Sequence, residues 1–168
     1  HAAKRQAEQG MVEARESVRT LWSDPVDRCD LTSTIGMLVE EFEAYSALPS
    51  SFEATGADWT LADDAFGAVT RSVQELLRNV ARHAGATQLR VNLSQSVCGI
   101  IRLEIDDDGI GFDSTERSSE SDRDGGFGLR SIRERIVGLG GTFEVASRPG
   151  GGTRALIEVA GVAPADQS

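Results

Sequence analysis

Basic residues are scarce in this 168-residue chain: 17 lysines and arginines stand against 27 aspartates and glutamates, for a net charge of -10. Such a balance repels a phosphate backbone unless a local basic patch intervenes, so no direct nucleic-acid binding is expected. Long apolar runs are also missing. No stretch reaches the roughly 20 residues needed to span a bilayer, and the start, His1-Ala2-Ala3-Lys4-Arg5, lacks the apolar core of a signal peptide. Cysteine is sparse too. Cys29 and Cys98 lie in different segments without metal-ligand spacing, which favours unpaired thiols in a reducing compartment over a disulfide or zinc site.

What remains suffices for one packed core, since 39% of the residues are apolar. The chain begins inside a helical pattern without an initiator Met or a capping residue, so it is expected to be a fragment of something longer. Residues 2–22 place Ala7, Met11, Ala14, Val18 and Leu21 on one narrow helical stripe that wants a partner helix. Pro25 interrupts that pattern, giving a linker over 23–30. The main domain is expected over 31–160, with a disordered tail over 161–168.

Within that domain a helix is expected from about Leu31 to Ser46, then a short strand over Ser51–Thr55 closed by Gly56. Asp63 or Asp64 can cap a long helix whose buried stripe is Phe66, Val69, Val73, Leu77, Val80 and Ala84, with Gly85 as its stop. Leu89, Val91 and Leu93, then Ile101, Leu103 and Ile105, alternate with polar residues and predict an antiparallel hairpin turning near Cys98-Gly99. Residues 113–126 are nearly devoid of apolar side chains and read as a mobile loop. A helix from about Leu129 to Leu139, a strand over Thr142–Ser147, a turn at Pro149–Gly152 and a last strand over Thr153–Val159 complete an α+β sandwich.

Four segments carry candidate chemistry. Glu75, Asn79 and His83 recur every four residues and so share one helix face, with Arg78 and Arg82 beside them. A carboxylate and a carboxamide oxygen suit a magnesium ion that also touches phosphates, and the cationic groups suit phosphate oxygens. Polar residues at helical spacing are, taken alone, usually a solvated face. Asp107-Asp108-Gly109-Ile110-Gly111-Phe112 follows a strand directly, where an Asp can accept an adenine amino hydrogen, although Asp and Gly are also common turn residues. Gly125-Gly126-Phe127-Gly128-Leu129 joins the polar loop to a helix, where free amides favour an anion. Pro149-Gly150-Gly151-Gly152-Thr153 is, by itself, a hairpin turn.

Taken in order, these segments resemble the sensor histidine kinases. Glu75 to Ala84 is similar to that family's N box, Asp107 to Phe112 to its G1 box and Gly126 to Leu129 to its G2 box, and Pro149 to Thr153 to the turn near the domain's end. The superfamily also holds type II topoisomerases, a heat-shock chaperone and mismatch-repair ATPases. Asn79 to Ala86 and Gly128 to Arg135 are similar to the class related to nitrate sensors, and residues 2–22 resemble the second dimerisation helix of that class.

The resemblance implies a two-layer α/β sandwich of the Bergerat ATP-binding type, its mixed, mostly antiparallel sheet covered by helices on one face, under a mobile ATP lid. It implies ATP and Mg2+ as cofactors, Asp107 on the adenine amino group, Gly109 and Gly111 where the backbone passes the base, and Asn79 on magnesium. Glu75 would polarise the nucleophile and His83 or Arg82 would steady the phosphates. Gly126 and Gly128, with Leu129 beside them, would hinge the lid and meet the phosphate chain, and Thr153 would sit near the adenine. Only Asp107 of the Asp106-Asp107-Asp108 run has the Asp-x-Gly-x-Gly spacing. Neither His1 nor His83 fits the phosphoacceptor pattern, so the isolated chain is not expected to phosphorylate itself. The implied partners are an absent dimerisation and phosphoacceptor domain, within a homodimeric full-length protein, and a response regulator with a helix-turn-helix output domain. The domain itself would be cytoplasmic, the full-length protein membrane-anchored or soluble. A non-catalytic interaction module and an anti-sigma-factor-type serine kinase are the alternatives.

Overall fold

In the computed structural model, the described residues are 30–56, 59–113 and 126–163. The expected dimerisation helix, nearly all of the linker and most of the lid loop lie outside them. Helix α1 spans Leu31–Ser46, and Asp30 caps it by accepting a 2.9 Å bond from the Ser33 amide. Its end is a left-handed Ala47 whose N–H donates to the Glu43 carbonyl at 2.9 Å. Strand β1 (Ser50–Gly56) follows.

Helix α2 runs Asp63–Asn79 and continues as a single π-helical turn, Val80–Ala84, stopped as expected by a left-handed Gly85. Its capping differs from expectation. Ala62 holds the cap position without a side-chain bond, and Asp63 and Asp64 sit inside the first turn, where their charges favour the positive end of the helix dipole. Strands β2 (Leu89–Gln95) and β3 (Ile100–Asp107) form the predicted hairpin. Helix α3 spans Gly126–Gly138, starting three residues earlier than the apolar pattern indicated, so Gly126 and Gly128 belong to its first turn instead of flanking it. Strands β4 (Thr142–Ser147) and β5 (Thr153–Ala160) end the domain.

The five strands order as β1-β2-β3-β5-β4, with β1 parallel to β2 and every other pair antiparallel. The parallel pair exists because α2 carries the chain back across one face, as a crossover must. Register lines up Val91, Ile105 and Ala155, and likewise Leu93, Leu103, Ile157 and Phe143, on that face, where α1, α2 and α3 cover them. Ile35, Val73, Ile132 and Ile136 reach in from the helices and are fully buried. The other face carries ion pairs, Arg102 with Glu158 and Arg154 with Glu104 and Asp106, so the sheet is apolar on one side and solvated on the other.

The expected tail needs one correction. Val162 exchanges backbone bonds with Thr60, at 3.1 and 2.7 Å, and the Gly161 amide donates to the Gly99 carbonyl at 2.7 Å, so the ordered fold runs past residue 160. Cys98 is exposed and unpaired. Among the described residues, no helix is long and apolar enough to cross a membrane.

Candidate functional site

The alternation that builds the core also places the site. Asp107 lies two residues after buried Ile105 on β3, so its side chain points to the helix-covered face, and its cross-strand partner on β5 is Thr153. The sheet ends there, and the last register position on that face holds two polar residues, Asp107 and Thr153. Burial raises the Asp107 carboxyl above its ordinary pKa, against the opposing pull of the Gly109 and Thr153 amides, and the Asp108 charge raises it further. The Gly109 amide donates to Asp107 Oδ1 at 2.9 Å.

Asp108 points the other way. It is exposed and accepts from the Thr87 hydroxyl at 2.6 Å and from the Thr87 and Gln88 amides at 2.7 and 3.0 Å, bonds that lower its pKa and tie the end of β3 to the turn before β2. Asp106 faces the open side of the sheet and pairs with Arg154. The structure thus gives the three aspartates different surroundings.

Three backbone segments meet beneath Asp107. The Ile110 amide donates to the Ala84 carbonyl at 2.8 Å, the Gly150 amide to the Ile110 carbonyl at 2.6 Å and the Gly152 amide to the Gly109 carbonyl at 2.9 Å. The space a Cβ would need is therefore taken. At Gly109 it would lie 2.3 Å from the Ala84 carbonyl oxygen, and at Gly111, where φ is +58°, 2.1 Å from that of Arg148. These two glycines, expected to make room for a base, already make room for the protein's own backbone.

Above this floor is a cavity of about 290 Å³, at the small end for ligand pockets. Asn79 and His83 line it from α2 and its π-turn, Leu129 from α3, and Asp107, Gly111 and Thr153 from the strand ends and the loop after β3. Its walls are otherwise apolar, including Leu76, Val80, Ile110, Phe112 and Val145. A mostly apolar slot with a carboxylate at its floor suits a flat heteroaromatic ring carrying an amine.

Glu75, one turn before Asn79, lines an adjoining cleft of about 470 Å³ with Arg71, Arg78, Gly128 and Arg135. Arg78 forms an ion pair with Glu75. A Cβ on Gly128 would sit 2.9 Å from Glu75 Oε1, so the absence of a side chain there lets the first turn of α3 lie over the carboxylate. Gly126 begins that turn. Arg82 is exposed and does not line the cavity.

Ser147 escaped the sequence reading. Its hydroxyl accepts from the Phe112 amide at 2.9 Å, donates to the Gly152 carbonyl at 2.9 Å and lies 3.0 Å from Thr153 Oγ1, so it joins three segments of the floor. A lone serine at a strand end carries no pattern; only the register Ser147↔Thr153 makes it visible.

Residues 67–161 match the family described as histidine kinase-, DNA gyrase B-, and HSP90-like ATPase. The chain is 27% identical over 156 residues to the signal transduction histidine-protein kinase/phosphatase DegS of Brevibacillus brevis, covering 93% of this chain and 39% of that protein. It is 34% identical over 128 residues to the sensor histidine kinase MctS of Rhizobium johnstonii, covering 76% of this chain and 27% of the relative. The sensor protein VraS of Staphylococcus haemolyticus is 37% identical over 89 residues, 53% of this chain and 23% of that one. The chain thus spans about two fifths or less of these relatives. Among solved structures, a mycobacterial sensor histidine kinase, MprB, superimposes with a TM-score of 0.60 at 25% identity, covering 79% of this chain and 97% of that one. With the mixed five-stranded sheet, the apolar slot and the matched family model in agreement, the chain belongs to the histidine kinase-, DNA gyrase B- and HSP90-like ATPases, as an ATP-binding domain of the sensor histidine kinase type.

Proposed function

We propose that this domain binds ATP with magnesium and transfers the γ-phosphoryl group to a histidine on a dimerisation helix outside the chain, for relay to a response regulator with a helix-turn-helix output domain. The observation that carries the reading is a polar series: Asp107 and Thr153 at the floor of an apolar slot, Asn79 at its wall, and Glu75, one helical turn before Asn79, in a separate neighbouring cleft. A nucleotide laid along it puts its base on Asp107 and its phosphates toward Asn79.

Each residue then has a task. Asp107 accepts from the adenine amine, and Leu129 and the other apolar walls hold the ring out of water. His83, or Arg82 by reorienting its exposed side chain, steadies phosphate oxygens. The amides of Gly126 and Gly128, at the start of α3, face anions along the helix dipole. Among the described residues no cluster of three or more His, Cys, Asp or Glu side chains could hold a metal alone. The Asn79 carboxamide oxygen would be the protein's ligand to a magnesium ion carried on the nucleotide phosphates, an ion that would supply charge neutralisation there.

In the transfer, the bond from the γ-phosphorus to the bridging oxygen of the leaving ADP breaks as a bond to the imidazole nitrogen forms. Glu75 accepts a hydrogen bond from the other ring nitrogen and makes the imidazole more nucleophilic. Most of the acceleration is positioning and charge neutralisation. Arg78 pairs with the Glu75 carboxylate in the cleft that both line.

Supplying a separate dimerisation-helix protein with γ-labelled ATP tests this. Acid-labile label on the helix histidine is expected, with Glu75→Gln slowing transfer about 100-fold or more while ADP still binds. Label on a supplied serine-bearing partner instead would favour the anti-sigma-factor type of kinase. No transfer to either, despite ATP binding, would leave a non-catalytic module.

A further inference from the structure

The hydroxyl group of Ser147 has one hydrogen and three polar neighbours. The Phe112 N–H can only donate to it and the Gly152 carbonyl can only accept from it, at 2.9 Å each. Satisfying both commits the serine hydrogen to Gly152. Its remaining contact, 3.0 Å from Thr153 Oγ1, then requires the threonine to donate. With its hydrogen turned onto Ser147, Thr153 presents only lone pairs to the cavity it lines.

Asp107, directly across from Thr153 in the strand register, is an acceptor when ionised. The floor therefore offers two acceptors and no side-chain donor from this pair, held side by side at one register position of adjacent strands. An amine nitrogen brings hydrogens to such a pair of acceptors on the cavity they both line. A carbonyl oxygen in the same place would face two sets of lone pairs.

We propose that Ser147 is a positioning residue for base selectivity: by fixing the Thr153 hydroxyl as an acceptor, it makes the pocket floor select a 6-amino purine and reject a 6-oxo purine. The inference rests on the reading of this cavity as the nucleotide site and adds the residue that sets the polarity of its floor. Without the serine hydroxyl, Thr153 loses its acceptor and can rotate to donate into the pocket. A 6-oxo base then gains a partner, and a 6-amino base loses one.

The test is calorimetric titration of the chain with ADP and with inosine diphosphate, which carries a carbonyl where adenine carries its amine. The unaltered chain is expected to prefer ADP. Ser147→Ala should lower the ratio of the two affinities by roughly fivefold to tenfold, the worth of one hydrogen bond redirected. Ser147→Thr, which keeps the hydroxyl, should preserve the ratio. If Ser147→Ala does not fold, Thr153→Val is read in its place and should also lower the ratio, by removing the acceptor itself. Parallel weakening of both ligands, with the ratio unchanged, would show that Ser147 only braces the loop and would overturn the proposal while leaving the nucleotide site intact. Failure of the unaltered chain to bind ADP would overturn the underlying reading, and this one with it.

Discussion

Gly150 and Gly152 occupy the same turn with nearly the same backbone, φ +73° and +70°, yet differ in what an added methyl would touch. At Gly150 nothing lies within 4 Å. Gly150→Ala therefore costs only the left-handed conformation, about 1–2 kcal/mol, or about 2–8 °C in melting temperature for a chain this size. At Gly152 the new carbon would lie 2.0 Å from the Asp107 carbonyl oxygen. Ordinary carbon–oxygen contacts need about 3.3 Å, so the turn and the end of β3 must part by more than 1 Å. The strain adds at least about 1–3 kcal/mol of overpacking to the conformational cost. The same displacement separates Asp107 from Thr153, so ADP affinity should fall at least tenfold in Gly152→Ala and stay within about twofold in Gly150→Ala. Urea unfolding and calorimetric ADP titration of the pair read both effects. Equal destabilisation, or normal ADP binding by Gly152→Ala, would refute the claim that this turn holds the pocket floor together.

Asp107→Asn should reduce ADP binding at least tenfold without lowering the melting temperature at neutral pH, because it removes a partly buried charge and exchanges one of its two acceptor oxygens for a donor. Its raised pKa means the folded chain holds that proton more tightly than the unfolded chain, so this group's contribution to stability rises as pH falls through the window between the folded and unfolded values, and the Asn variant should lose that dependence in pH-resolved melting. ADP affinity of the unaltered chain should fall as pH drops through the raised folded value, because protonation removes the charge and turns one acceptor oxygen into a donor. Gly128→Ala should raise helix stability by up to about 1 kcal/mol and keep ADP binding, yet displace the Glu75 carboxylate 2.9 Å away and slow transfer to a supplied acceptor; unchanged transfer would free Gly128 from any role in placing Glu75.

Local sequence carried the elements well and the site unevenly, for one physical reason. Periodicity reports which face of a segment is buried, so the β2–β3 hairpin could be read from alternation, while α1 and β4–β5 were legible from the helix and turn signals that bound them. It is blind where a glycine starts a helix. The apolar pattern of α3 begins at Leu129, whereas the helix begins at Gly126, because backbone bonding and not side-chain burial extends that first turn. The π-turn at Val80–Ala84 was equally hidden: one extra residue per turn leaves no mark on a polar stretch such as Arg82-His83.

The same distinction separates the legible part of the site from the rest. Asp107 and Thr153 stand in motifs, but what makes them a pair is strand register, a relation between residues 46 positions apart in the chain that no window of sequence contains. Ser147 acquires meaning only through that pairing. The glycines around it have a second explanation beside the ligand that a Gly-rich motif suggests: at Gly109, Gly111 and Gly152 the atoms nearest to where a Cβ would lie are carbonyls of the protein itself. In this domain the motif glycines first permit three backbone segments to close on one another, and the pocket follows from that closure. A glycine variant that loses nucleotide binding is therefore no proof of contact with the nucleotide. The melting temperature must be measured beside the affinity, and only loss of the second without the first would place a glycine against the ligand.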